Sequence, residues 1–568
     1  MEKHPLSARP FAKIAMSMSG GGYRASAFHL GALSYLNKLR YEDRPLLDNL
    51  KMISTVSGGS ITGIVYAIKK QQGYSFEKCY EFLLNQLKEI DLIREGIEKL
   101  NPNANWQTPT KNKNLINAFA ELYDKYLTHG KTLASLQAGT GLDTFVFNST
   151  DFKNAIDFRF KDCRSGYSGN FPTQIDPDLA GEIKLSDIMA SSSCFPGGFE
   201  PMIWPYDYLH ENAPKIKALC DAAPVPISIM DGGIYDNQGI DSILNYKGGR
   251  QTAYFDFIIV SDVASPYMAP YLPYTEKPKS ELSSLTLNDI KEKTKRLNRS
   301  TSITLLVVTA IFALLPFAWS YQQNLFTGIS LGLAIATVLL FIAKMILVKK
   351  ANNFLGSIPG RIKSVIPEFF YERLMVFDLD KLSLHRLEPL IINRIKSLAT
   401  LLMDVFLKIV RRQNYDQLYN NNIYAYKRAS NLVQELTKAD FNEKSQRNER
   451  NKTISENRRK NTILIGDYDT IVGDKIPLIA EQAGHFGTTL WFTDKDNIEG
   501  MLENLVCSGE FTMCYNILEY LEKILFEPGS GYNELPNEIK LEIQKTYESC
   551  KQDWLEFRKQ PNFMKNKI

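Results

Sequence analysis

Residues 51–60 read Lys51-Met52-Ile53-Ser54-Thr55-Val56-Ser57-Gly58-Gly59-Ser60, and Ile61–Lys69 continues with apolar residues at helical spacing. A short apolar run, a serine, two glycines and a helix form a strand–turn–helix unit. A serine on so sharp a turn has a strained backbone and an exposed hydroxyl above the sheet. The turn crowds the positions two before and two after it, so they have to be small, which gives the pattern G-x-S-x-G. About Ser57 the pattern is Thr55-Val56-Ser57-Gly58-Gly59, lacking only the first glycine; about Ser60 it is Gly58-Gly59-Ser60-Ile61-Thr62, lacking the last. Ser57 directly follows the strand, where a nucleophile belongs, whereas Ser60 already falls in the helix. Ser57 is therefore the candidate nucleophile. The competing role for such a serine is to cap the helix.

The same unit occurs earlier in the chain. Ala12–Met18 is a strand candidate that runs into Ser19-Gly20-Gly21-Gly22, and Ala25–Leu39 reads as a helix. Two such units predict an α/β protein with a parallel sheet. Thr144–Asn148, Ile227–Met230 and Phe255–Val260 supply further strands. Three glycines before a helix can turn successive N–H groups into one concavity at its positive end. That concavity suits a phosphate or the oxyanion of an acyl-transfer intermediate. No G-K-[ST] follows at Walker spacing, and the dinucleotide fingerprint G-x-G-x-x-G is not met. An oxyanion hole beside a serine elbow is the more economical reading.

A nucleophilic serine needs a base. The six histidines, His4, His29, His129, His210, His385 and His485, stand in no recognisable triad context, and His29 reads better as a structural residue of the first helix. In Ile229-Met230-Asp231-Gly232-Gly233 an aspartate ends an apolar strand before a glycine turn. A partly desolvated aspartate within about 3 Å of a serine hydroxyl can take its proton directly. Asp-Gly-Gly by itself is equally a plain turn.

Taken together, Gly20-Gly21-Gly22-Tyr23-Arg24, Val56-Ser57-Gly58-Gly59-Ser60 and Asp231-Gly232-Gly233 resemble the patatin-like phospholipase family, related to the cytosolic phospholipases, in order and in separation. Phe145–Asp151, ending in Thr150-Asp151, and Ser186–Pro196, a small-residue helix before Phe195-Pro196, are similar to further stretches of that family. The resemblance covers about Phe11–Pro266 and resumes at Pro477–Ile524, notably Thr488–Phe492 and Met513–Asn516. It implies a three-layer α/β sheet with flanking helices and a Ser-Asp dyad without histidine. Ser57 would be the nucleophile, Asp231 the base, and Gly20, Gly21 and Gly22 the oxyanion donors. Arg24 would help shape the hole or meet a lipid phosphate. The implied reaction is ester hydrolysis of glycerolipids through an acyl-enzyme. Thr55 departs from the usual elbow glycine.

Composition decides how the enzyme would meet its substrate. The 568 residues carry 67 Lys+Arg against 63 Asp+Glu, a net +4, with 44% apolar and 23% charged residues and a mean hydropathy of −0.22. These values exclude a disordered chain, a fibre or a protein made mostly of membrane spans, and they make no case for nucleic acid binding. Seven scattered cysteines with no C-x-x-C fit a reducing compartment, and no D-x-[DN]-x-[DN]-G loop suggests calcium, so neither a cofactor nor a metal is expected.

The average conceals the stretch from Arg299 to Lys344, whose 44 intervening residues carry no charge. As a helix it would run ~66 Å, about twice a hydrocarbon core, and Tyr321-Gln322-Gln323-Asn324 breaks it near the middle. We read two spans, about Ser302–Ser320, kinked at Pro316, and Leu325–Leu347, with Trp319 and Tyr321 at the interface. Lys291, Lys293, Lys295, Arg296 and Arg299 precede them, and Lys344, Lys349, Lys350, Arg361 and Lys363 follow, so both ends face the cytoplasm. The alternative is a core hairpin of a soluble domain. Met1–Pro10 does not read as a signal peptide.

The expected organisation is a catalytic domain over 1–290, a transmembrane hairpin with basic flanks over 291–350, a helical region and polar linker over 351–460, and a segment over 461–568 completing the catalytic domain. The expected function is a membrane-anchored, cytoplasm-facing lipid acyl hydrolase acting on membrane phospholipid. An acyltransferase with the same dyad and a non-catalytic membrane scaffold are the alternatives.

Overall fold

The computed structural model describes the chain apart from residues 1–5, 137–141, 163–165, 247–252, 265–270, 273–284, 319–323, 366–382, 452–454 and 567–568. His4, Cys163, Trp319, Tyr321–Gln323 and Pro266 lie outside the described residues, as does the side chain of His385. Two compact units are present, Met1–Met268 with Asp404–Ile568, and Ala269–Met403.

The elements that place the site begin with β1 (Ile14–Met18), α1 (Gly22–Lys38), β2 (Leu50–Val56) and α2 (Gly58–Gln71). β3 (Thr144–Asp151), β4 (Ile156–Lys161), α3 (Leu185–Ser192), β5 (Met202–Trp204), β6 (Ile227–Asp231) and β7 (Phe257–Asp262) follow. α4 (Leu287–Ala318) and α5 (Asn324–Val365) belong to the second unit. The chain then returns to the first with α6 (Leu407–Tyr419), β8 (Arg428–Leu432), α7 (Met501–Phe526) and α8 (Asn537–Lys559).

The first unit is a sheet flanked by helices, with strand order β8-β7-β1-β2-β3-β4. β1, β3, β7 and β8 are parallel to their neighbours in the β8-to-β3 part, as the two strand–turn–helix units predict. β1, β3 and β7 are buried at every residue, the continuous apolar pattern of strands covered on both faces. The whole sheet is mixed, because β4 and β6 are antiparallel to β3.

That mixture positions the candidate dyad. β4 takes one edge of β3 over Val146–Asp151. On the other edge β2 pairs up to Val56, opposite Asn148, and β6 takes over with Asp231 opposite Ser149. Two strands of opposite direction therefore run toward each other along one edge. Ser57 leaves the end of one, and Asp231 is the last residue of the other.

The C-terminal segment is built onto this core. α7 crosses α1 so closely that a Cβ on Gly31 would stand 1.9 Å from the Val506 carbonyl oxygen, and one on Gly509 would stand 2.0 Å from that of Phe28. Across the sheet, Arg411 of α6 donates from Nε to the Asp262 carboxylate at 2.7 Å. This buried ion pair pins together the two stretches of chain that lead into and out of residues 269–403.

In the second unit, α4 and α5 pair antiparallel. Thr309 Oγ1 donates to Thr337 Oγ1 at 2.8 Å. Lys344 Nζ donates to the Asn298 carbonyl (2.7 Å), Thr301 Oγ1 (2.6 Å) and Ser302 Oγ (2.8 Å). α4 continues through Pro316 to Ala318. Lys295–Pro316 and Thr327–Lys350 are long and apolar enough to cross a membrane, with hydropathies of 1.6 and 2.6. They are not core helices: Leu306, Leu314, Leu339, Leu340 and Leu347 are each more than half exposed.

Candidate active site

Ser57 stands between β2 and α2 with φ 50° and ψ −120°, a left-handed conformation that costs a non-glycine residue roughly 1–3 kcal/mol. Its side chain makes no capping bond to α2, so the helix-cap role is not what holds it there. Instead its hydroxyl stands near enough to the Asp231 carboxylate to lower its pKa. Its own N–H donates to Ser192 Oγ at 3.0 Å, which fastens the elbow to α3.

Ser60 is placed differently. It is fully buried and shares hydrogen bonds with Thr55 Oγ1 and Ser192 Oγ, both at 2.8 Å. Thr55, the departure from the elbow pattern, is accommodated by this bond and by Gly63, where a Cβ would stand 2.5 Å from the Thr55 methyl.

Asp231 is 5% exposed. Its Oδ1 accepts from the Gly233 N–H at 2.7 Å, and its backbone is held by Thr150 Oγ1 and the Cys194 carbonyl. Burial pushes its carboxyl up to about 7, while the Gly233 amide and the Ser57 hydroxyl pull the other way. A carboxyl poised near neutrality can both take and return a proton.

The glycine turn meets this pair at the start of α1. Gly21 and Gly22 have φ 147° and 60°, values that L side chains rarely adopt. A Cβ on Gly58 would stand 2.1 Å from the Gly22 carbonyl oxygen, so the elbow and the glycine turn touch backbone to backbone. The first amides of α1 have no acceptor one turn earlier, the usual condition of a helix start. The amide of Gly20 does not share that condition: it donates to the Asn237 carbonyl at 3.0 Å. The Gly20 amide is thus engaged, whereas those of Gly21 and Gly22 make no backbone hydrogen bond among the described residues.

Of the two roles expected of Arg24, its contacts favour the shaping one. Arg24 is 8% exposed, and its guanidinium donates to the Phe486 carbonyl at 2.6 Å and to Thr488 Oγ1 at 3.4 Å. Burial lowers its pKa to about 10, with Asp262 opposing. Its donors thus hold the segment whose Thr489 carbonyl accepts from the Tyr23 N–H at 2.7 Å. Arg24 shapes the turn by holding backbone against it, and a lipid phosphate does not find its guanidinium open.

His29 is fully buried under the turn. Its Nε2 lies 3.0 Å from the Ser19 carbonyl, which makes that nitrogen the donor, and Nδ1 lies 2.8 Å from Ser261 Oγ. Burial lowers its pKa to about 4, so it is a neutral structural residue and has no bond to Ser57. Among the described residues no group of three or more His, Cys, Asp or Glu is arranged to hold a metal ion.

Several supporting residues have roles that no local pattern shows. Ser192 joins the Ser57 amide to the Asn148 carbonyl, and Asn148 Nδ2 in turn donates to the Thr55 carbonyl at 2.9 Å. Asp262 is buried, but Arg411, the Ala264 amide and Gln238 outweigh that burial and hold its carboxyl below the usual range. These contacts join residues far apart in sequence, beyond the reach of a local pattern.

A serine on a strand–helix elbow, an aspartate at the end of the opposing strand and a glycine turn at a helix start thus lie together in an α/β domain. Residues 16–244 match the family described as patatin-like phospholipase, so this part of the chain is a patatin-like phospholipase domain. Comparison with curated protein sequences finds no match. Among solved structures the chain is similar to human GIVD cytosolic phospholipase A2, at 14% identity and a TM-score of 0.30, covering 51% of this chain and 46% of that one. The same human protein in complex with methyl gamma-linolenyl fluorophosphonate is matched at 15% identity and a TM-score of 0.28, over 44% and 40% of the two chains. The chain thus spans less than half the length of these structures.

Proposed function

We propose that the protein is a membrane-anchored lipid acyl hydrolase that cleaves acyl esters of glycerophospholipids. What supports the reading is that Ser57, on its elbow, and Asp231, at the end of the opposing strand, are neighbours inside a stretch that matches the patatin-like phospholipase family. Ser57 Oγ attacks the acyl carbonyl carbon as its proton passes to Asp231, and the carbonyl electron pair moves onto oxygen. The amides of Gly21 and Gly22 receive that charge. Collapse expels the lysolipid hydroxyl, which takes the proton from Asp231. Water, deprotonated by Asp231, then releases the fatty acid and restores Ser57.

The α4–α5 hairpin supports anchoring, because its leucines are uncovered and Thr309, Thr337 and Lys344 find partners within the hairpin. Basic residues at both outer ends favour a cytoplasmic face for the catalytic domain. Tethering keeps the site at high effective concentration of bilayer substrate. The test is fatty acid release from phosphatidylcholine vesicles by the full chain. Wild type should release it and Ser57→Ala should not; equal release by both sinks the reading.

A further inference from the structure

With Gly20 committed and Arg24 turned away, the oxyanion site has two backbone amides, and a third polar group stands beside them. A Cβ on Gly20 would lie 2.6 Å from Asn237 Oδ1 and 3.0 Å from Ser57 Cβ. One on Gly233 would lie 2.7 Å from Asn237 Oδ1 and 2.9 Å from Asp231 Oδ1. The Asn237 amide, its oxygen toward the two glycines, therefore stands near both nucleophile and base, and glycine at 20 and 233 is what admits it.

The Asn237 backbone is fixed. Its carbonyl accepts from the Gly20 N–H. The carboxylate of the preceding residue, Asp236, accepts from the N–H groups of Gln238 (3.2 Å), Gly239 (3.0 Å) and Asp241 (2.7 Å), which freezes the loop. The side-chain amide by contrast is partly exposed and makes no hydrogen bond among the described residues. A rigidly mounted amide that makes no hydrogen bond among the described residues, close to two reacting groups, is suited to a ligand atom. Its neutrality also matters, because a cation here would stabilise the Asp231 carboxylate and weaken it as a base.

We propose that Asn237 is a third catalytic side chain, whose amide turns to present Nδ2–H and donates to the acyl carbonyl oxygen as negative charge develops there, beside Gly21 and Gly22. This rests on the reading of Ser57 and Asp231 as nucleophile and base. The donor adds no bond-making step; it stabilises the oxygen that receives the carbonyl electron pair when Ser57 attacks.

The experiment is steady-state hydrolysis of p-nitrophenyl butyrate by the detergent-solubilised full chain, for wild type, Asn237→Ala, Asn237→Ser, Asn237→Asp and Ser57→Ala. Asn237→Ala should lower kcat by about 10²-fold with little change in KM, the size expected for loss of one oxyanion donor. Asn237→Ser, which keeps a donor, should recover part of it. Asn237→Asp is isosteric and should also lose kcat, with the acid limb of its pH profile moved to higher pH by a second carboxylate beside Asp231. If the alanine variant fails to fold, the serine and aspartate variants decide. Wild-type kcat in Asn237→Ala, or in Asn237→Asp with an unmoved acid limb, overturns the proposal. Activity surviving in Ser57→Ala overturns the underlying reading instead, whereas a dead Ser57→Ala beside a fully active Asn237→Ala overturns this proposal alone.

Discussion

Ser57 and Asp231 are neighbours because the strands that deliver them run toward each other on one edge of Thr144–Asp151, with Val56 opposite Asn148 and Asp231 opposite the next residue, Ser149. A purely parallel sheet would have brought both in from the same side. Here the base descends on the nucleophile from the open end of the sheet, and the pairing register sets their level.

That level is paid for in burial of a carboxylate, which gives a pH dependence. As the proposed base Asp231 has to be ionised, and burial pushes its carboxyl up to about 7. Activity should therefore fall about tenfold per pH unit below that value and reach a plateau above it. A profile whose acid limb lay near pH 4 would show that an unperturbed carboxyl governs the rate.

The same shift has a sign in stability. A folded-state value above the unfolded one means that the native protein holds the extra proton between roughly pH 4 and 7, so ionising Asp231 destabilises the fold as pH rises through that window. Asp231→Asn should raise the melting midpoint at pH 8, by the equivalent of a few kcal/mol at most, and the gain should vanish near pH 4. A midpoint lowered at pH 8 contradicts this.

Ser60→Ala removes the partner of Thr55 and Ser192 without touching Asp231. It should cost about 1–3 kcal/mol of stability, read by thermal or denaturant unfolding, and leave most of the activity in place.

Arg411→Ala leaves the Asp262 carboxylate buried and unpaired, which typically costs 3–5 kcal/mol. Because this pair joins the chain on either side of residues 269–403, the variant should also be cleaved faster near both ends of that segment in limited proteolysis. Arg411→Lys should restore part of the loss. Wild-type melting in Arg411→Ala would mean that the pair is not holding these ends.

The local part of this architecture is legible in the sequence. The two strand–glycine–helix units, the elbow at Ser57 and Asp231 at a strand end all follow from short patterns, since strand burial and turn sterics act on neighbouring residues. α1 and α2 begin earlier than apolar periodicity indicates, at Gly22 and Gly58, because their first turns are glycine and carry no periodic signal. The antiparallel course of Ile227–Asp231 is not legible, because direction is set by pairing with Ser149–Asp151 some eighty residues away. For the same reason Gly20 looks like a donor until the Asn237 carbonyl is seen against it, and Arg24 looks like a ligand for phosphate until Phe486 is.

The uncharged hairpin is read from composition alone, and its test is separation from membranes. Deleting Ser300–Leu347 should move the protein from the membrane pellet to the soluble fraction with its fluorophosphonate reactivity retained. Retention in the pellet would place the anchor elsewhere.

The measurement that bears most directly on the account is mapping of a lipid fluorophosphonate adduct on the intact protein by peptide mass spectrometry. One adduct should form, on Ser57, and be lost in Ser57→Ala. An adduct on Ser60, or none on the wild-type protein, contradicts the assignment of Ser57 as the nucleophile.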